Sequence, residues 1–188
     1  MVVVYPVFLK LNGRRVLLVG GGAVAGAKLE GLLAAGALVT VVAPEIDSAF
    51  ERADVTIHLR PFSPGDLEGV WWVVAAAPPE VNRQVQAAAE LRHLFVNAVD
   101  DPAHATAYLG SIVRRHDVTM AISTGGRAPA LAGLLREALD AWLPQDIDAW
   151  MAAADEARRQ WKESGVPMEE RRPLLLETLN RLYESRQK

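Results

Sequence analysis

The run VLLVGGGAVAGAKLEGLLAAGALVTVVAPE, residues 16 to 45, leaves little freedom in what this chain can fold into. Val16 to Val19 are continuously apolar, as in a strand buried on both faces of a parallel sheet. Gly20, Gly21 and Gly22 follow and, with Ala25, read G-x-G-x-x-A. Such a pattern supplies a glycine for the tight turn, a glycine that lets backbone approach a diphosphate, and a small residue where helix meets strand. It predicts a dinucleotide site lined by the backbone of Gly20, Gly22, Ala23 and Val24, with the diphosphate on the free N–H groups and positive dipole end of the next helix. That helix carries Val24, Leu29, Leu32 and Leu33 and ends at Gly36. A second strand, Val39 to Ala43, closes on Pro44 and Glu45, about twenty residues past the glycines, where a carboxylate holds the ribose 2′-OH. No Lys or Arg occurs between Val39 and Glu51 to receive a 2′-phosphate, so the expected cofactor is NAD rather than NADP.

The same alternation continues. Val55 to Leu59 reads as an outer strand, Val70 to Ala77 and Leu94 to Val99 as further strands, and Glu80 to His93 as a helix with Val81, Val85, Ala88 and Ala89 inward. Strands and helices at this spacing predict an α/β fold, a Rossmann-type doubly wound parallel sheet with ligands beyond the carboxyl ends of its strands. Tyr5, Phe8 and Leu11 are expected to cover one end of the sheet, and Trp71 and Trp72 to serve core or subunit packing. From residue 106 the pattern changes to two short strands joined at His116-Asp117. A pair this small is marginal alone and is expected to meet its copy in a second subunit, giving a homodimer. A helix from Pro129 to Leu143 follows, with Leu131, Leu134, Leu135, Ala138 and Trp142 on its apolar face, and then two amphipathic helices. The expected division is a nucleotide-binding domain over 1–105, a small α+β dimerisation domain over 106–146 and a helical tail over 147–188.

A formal net charge of −3 speaks against a nucleic-acid partner, which needs a clustered basic face. There is no cysteine, which excludes disulfides and thiolate metal sites. The opening MVVVYPVFL is short, lacks a basic leader and contains Pro6, so neither a signal peptide nor a membrane span is expected, and the expected location is cytoplasmic.

Four separated stretches, YPVFLKLNGRRVLLVGGG, VTVVAPE, VNAVDDP and AISTGGRAPALAGLLREALDAWLP, together resemble the siroheme synthase family, specifically its precorrin-2 dehydrogenase domain. The likeness implies NAD-dependent oxidation of the reduced tetrapyrrole precorrin-2 to sirohydrochlorin, with ferrous iron a further substrate in those members that also make siroheme. It implies a dimer and a tail that helps close the tetrapyrrole cleft. No methyltransferase segment is present, so the preceding methylations are expected from another protein.

Asp100 matches the family's catalytic aspartate in N-x-x-D and would act as general base; an aspartate capping the turn before Pro102 is the plain alternative, with Asp101 the better cap. Asn97 falls near the same edge by the motif, or else satisfies backbone at a strand end. Ser123, Thr124, Gly125 and Gly126 form a turn suited to a substrate carboxylate, or one whose hydroxyls simply cap a helix. Arg127, with Arg114, Arg115 and Arg136, is a candidate to hold those carboxylates, and His104 to touch substrate or metal, although no metal-ligand spacing occurs. Ala76 and Ala77 are expected along the cofactor, but Ala76-Ala77-Pro78-Pro79 departs from the family's A-T-D-D, and Ala107 and Gly110 stand where relatives carry an aromatic and a proline. Two other readings stay open: a chelatase with weak dehydrogenase activity, and a non-catalytic NAD/NADH sensor.

Overall fold

The computed structural model describes residues 4–50 and 54–184; expectations touching 1–3, 51–53 or the end of the tail lie outside them. The chain divides into two compact units, one running up to Leu109 and including Gly125–Arg127, the other comprising Gly110–Thr124 and the chain from Ala128 onward.

The first unit contains β1 (Arg15–Val19), α1 (Ala23–Ala34), β2 (Leu38–Ala43), β3 (Thr56–Leu59), β4 (Trp72–Ala75), α2 (Pro79–Glu90) and β5 (Val96–Ala98). The strands form one parallel sheet in the order β3-β2-β1-β4-β5. Because both sheet faces are covered, alternate residues of β1 go to different cores. Val16 and Leu18 join Leu29 and Leu32 of α1, while Leu17 and Val19 join Val85 and Ala89 of α2. That is why these strands read as unbroken apolar runs rather than as alternation. With α1 after β1 and α2 after β4 on opposite faces, the chain order reverses between these neighbouring strands and opens a crevice at their carboxyl ends.

The second unit holds an antiparallel hairpin, β6 (Ser111–Arg115) and β7 (Val118–Ile122), then α3 (Pro129–Trp142), α4 (Ile147–Glu163) and α5 (Met168–Glu184). Its core is small: Val113, Leu143 and Ile147, flanked by Val118, Met120, Leu139 and Trp150. Arg115 ties the hairpin to the end of α3, donating to the Leu143 carbonyl and to Asp140 Oδ1 at 2.9 Å. Trp150 meets Tyr183 edge to face at 5.6 Å, joining α4 to α5.

One packing expectation is corrected, and two are made specific. Of the residues expected to cover the sheet end, Leu11 is buried but Tyr5 and Phe8 are 88% and 71% exposed. Trp72 enters the core, whereas Trp71 stays exposed beneath the Arg14 guanidinium, 3.9 Å from its ring centroid, an arrangement in which the cation rests on the ring's negative face. On α3 the apolar face is uncovered: Leu131, Leu134, Leu135 and Trp142 are all exposed, and Ala132 is the residue the helix buries. Periodicity marks a stripe as apolar without saying what covers it.

Candidate active site

Gly20 and Gly21 shape the crevice by close approach. At φ +124°, Gly20 lies so near β4 that a Cβ would sit 2.2 Å from the Ala76 carbonyl oxygen. At Gly21 a Cβ would sit 2.0 Å from the Glu45 carbonyl oxygen, because the chain leaving β2 folds back and bonds there, Asp47 N–H to Gly21 O at 2.7 Å. Gly22 differs: a side chain there would meet nothing within 4 Å. It is the N-cap of α1 with no side-chain cap, and the first ladder bond runs from Gly26 N–H to Gly22 O, leaving the N–H groups of the first turn without intrahelical acceptors. Open space, unpaired donors and a positive helix end together suit a diphosphate.

A 700 Å³ cleft joins this turn to Pro44 and Glu45 at the end of β2 and to Ala76 and Ala77 at the end of β4, with Phe62 as an apolar wall. The residues present therefore fit a dinucleotide: donors for its phosphates, a carboxylate for a ribose, apolar surface for a base. No Lys or Arg lines it; Arg52 lies outside the described residues.

A second cavity of 470 Å³ shares Val24, Ala76 and Ala77 with the first and adds Asp100, Asp101, His104 and Arg83. Asp100 follows β5 at φ +57°, an uncommon left-handed conformation for a residue bearing a Cβ, and its side chain is exposed. Asp101, expected as a cap, instead holds His104: its two carboxylate oxygens lie 2.8 and 2.9 Å from Nδ1. Gly126 packs against this loop, its Cβ direction 3.2 Å from Pro102, which brings Gly125–Arg127 beside it within the same unit.

Other expected residues have different surroundings. Asn97 is 6% exposed, and its Nδ2 donates to the Ala107 carbonyl at 3.0 Å, while Val96 N–H donates to Thr106 Oγ1 at 2.8 Å. Asn97 thus pins the segment leaving the loop of Asp100–His104 to β5. Thr124 lies in the second unit, and its Oγ1 accepts from the N–H of Ala128 at 3.2 Å, which tethers the residue preceding α3 without capping the helix; Ser123 lies in that unit too. Of the arginines considered, Arg115 is engaged as described above and Arg136 pairs with its neighbour Glu137 at 3.3 Å. Among the described residues no group of three His, Asp or Glu side chains is gathered closely enough to hold a metal ion.

Two contributors were absent from the sequence reading. Asn82 of α2, 2% exposed, accepts from Ala77 N–H at 3.1 Å and so fixes the turn after β4, where Pro78 offers neither a capping side chain nor an N–H. Its signal is a polar residue on the inward stripe shared with Val85 and Ala89. Arg83, on the next position of α2, supplies a cation to the second cavity.

Residues 7–111 match the sequence model of a family described as "Putative NAD(P)-binding", and the chain belongs to that family. It is 44% identical over 172 residues to "Siroheme synthase 3" of Aeromonas hydrophila subsp. hydrophila, covering 89% of this chain and 37% of that protein. To "Siroheme synthase" of Photorhabdus laumondii subsp. laumondii it is 39% identical, covering 93% of this chain and 38% of that protein. The chain thus spans little more than a third of the length of these relatives. Among solved structures it matches "SirC, precorrin-2 dehydrogenase" with a TM-score of 0.69 and 26% identity, over 93% of this chain and 88% of that one. The Rossmann-type α/β fold and a nicotinamide-type cofactor follow from these matches.

Proposed function

We propose that the chain oxidises precorrin-2 to sirohydrochlorin with NAD as hydride acceptor. The observation that carries this reading is the continuity of the two cavities: a dinucleotide cleft runs through Val24, Ala76 and Ala77 into a space lined by Asp100. The reaction removes a hydride and a proton from the macrocycle, and NAD, when bound, supplies the hydride acceptor. The chain's own residues do the rest. Gly22, Ala23 and Val24 bind through backbone N–H groups, Glu45 holds the adenosine ribose, and Asp100 serves as base at the reacting end. Arg83 and Arg127 are suited to substrate carboxylates because a guanidinium can grip them bidentately.

The preference for NAD over NADP rests on Glu45 and on a cleft that no Lys or Arg lines among the described residues. Homodimerisation is supported by the uncovered apolar residues of α3. We read the protein as cytoplasmic, where both substrate and cofactor are made; no helix among the described residues is long and apolar enough to cross a membrane.

The deciding experiment is an anaerobic assay of the purified chain with precorrin-2 and NAD, following NADH and the pigment spectrum together before any metal is added. One NADH per sirohydrochlorin is expected. NAD binding without turnover would overturn the reading. Asp100→Ala should lower kcat by about 10²-fold or more with NAD affinity retained.

A further inference from the structure

We infer that His104, oriented by Asp101, carries the proton released by substrate oxidation from the cavity to water. The inference rests on the proposed dehydrogenase reading and deepens it.

A carboxylate can only accept a hydrogen bond, so its approach to Nδ1 within 2.8 and 2.9 Å fixes the proton of a neutral imidazole on that nitrogen. Nε2 is thereby left with its lone pair, free to take up a proton. Asp101 then stabilises the imidazolium that forms, and release to water restores the starting tautomer. The His104 side chain is one-third exposed (33%), so a group that lines the cavity also reaches solvent. Asp100, Asp101 and Arg83 are the other charged groups lining this cavity.

A loop brace would explain the pair less well, because the turn is already braced without it. Asp101 N–H bonds to Ala98 O, His104 N–H to Asp101 O, and the Tyr108 hydroxyl to the Pro102 carbonyl. The balance closes without another reactant: the substrate loses two electrons and one hydrogen as hydride to NAD, and the remaining proton, taken first by Asp100, passes through Nε2 to water while the Asp100 carboxylate is restored.

The test uses the full chain in the precorrin-2 and NAD assay, with NAD affinity measured separately as a check on folding. His104→Ala should lower kcat by about 10²-fold, leave NAD affinity unchanged and regain activity on addition of imidazole. Asp101→Asn should lower kcat with little change in KM, and nitrogen NMR of His104 should show loss of the uniform Nδ1–H tautomer. Unchanged kcat in His104→Ala overturns the inference and leaves the dehydrogenase reading standing. So does a loss that imidazole does not restore, which would identify a brace. Absence of turnover in the unaltered protein, with NAD bound, overturns both.

Discussion

Two glycines of the same turn, Gly20 and Gly22, should answer substitution in opposite ways. Gly20→Ala drives a Cβ into the Ala76 carbonyl at a positive φ, and we expect a loss of about 3 kcal/mol of stability, measured by denaturant unfolding. Gly22→Asp meets only open space within the protein, so it should fold normally and lose NAD affinity, since bulk and like charge then face the diphosphate. Calorimetric titration with NAD separates the two. Asn82→Ala removes the acceptor for the Ala77 N–H and should cost about 1–3 kcal/mol, with weaker NAD binding because the turn after β4 loosens. The glycine turn was legible because its demands are local. Asn82 and the pairing of Asp101 with His104 were not, since each depends on which face of a helix or loop meets a distant partner, and spacing alone is silent on that. The arginine candidates divided for the same reason: Arg115 reaches across to the end of α3, a contact that no local pattern announces.

The elements themselves were largely readable, because a doubly covered parallel sheet writes its strands as apolar runs and its helices as stripes. What the α3 stripe left open was what covers it. Leu134 and Trp142 of α3 are 64% and 72% exposed, so Leu134→Glu with Trp142→Glu should leave the chain folded and, on the proposed homodimer, turn it into a monomer by analytical ultracentrifugation. An unchanged mass would sink that role for α3. The loop before β4 carries a different prediction. Arg60 grips Asp66, with Nη1 to Oδ2 at 2.9 Å, and Ser63 N–H donates to the same oxygen at 2.8 Å. These contacts, the Arg60 hydrogen bond first, hold the Asp66 carboxyl below its ordinary 3.8. A carboxyl whose folded value is depressed adds stability that is fully present above the unfolded value and is lost as pH falls through the folded one. Stability should therefore drop below about pH 4, and Asp66→Asn should flatten that acid limb in thermal melts taken across pH 2 to 5.

For the whole molecule, ligand and fold are linked through the first unit. NAD binding only the folded protein should add about 2.7 kcal/mol at a concentration one hundred times Kd, visible as a rise in Tm. The rise should be absent in Gly22→Asp. Asp100 sets the opposite relation. Its left-handed backbone suits glycine better than any residue with a Cβ, yet the proposed base requires a carboxylate there. Asp100→Gly should thus melt no lower than the unaltered protein while losing turnover, so that a screen for thermal robustness would pass inactive chains at this position. On the proposed role of Asp100, its carboxylate is retained for turnover and not for stability, so durability measured alone is blind to the residue the reaction would need.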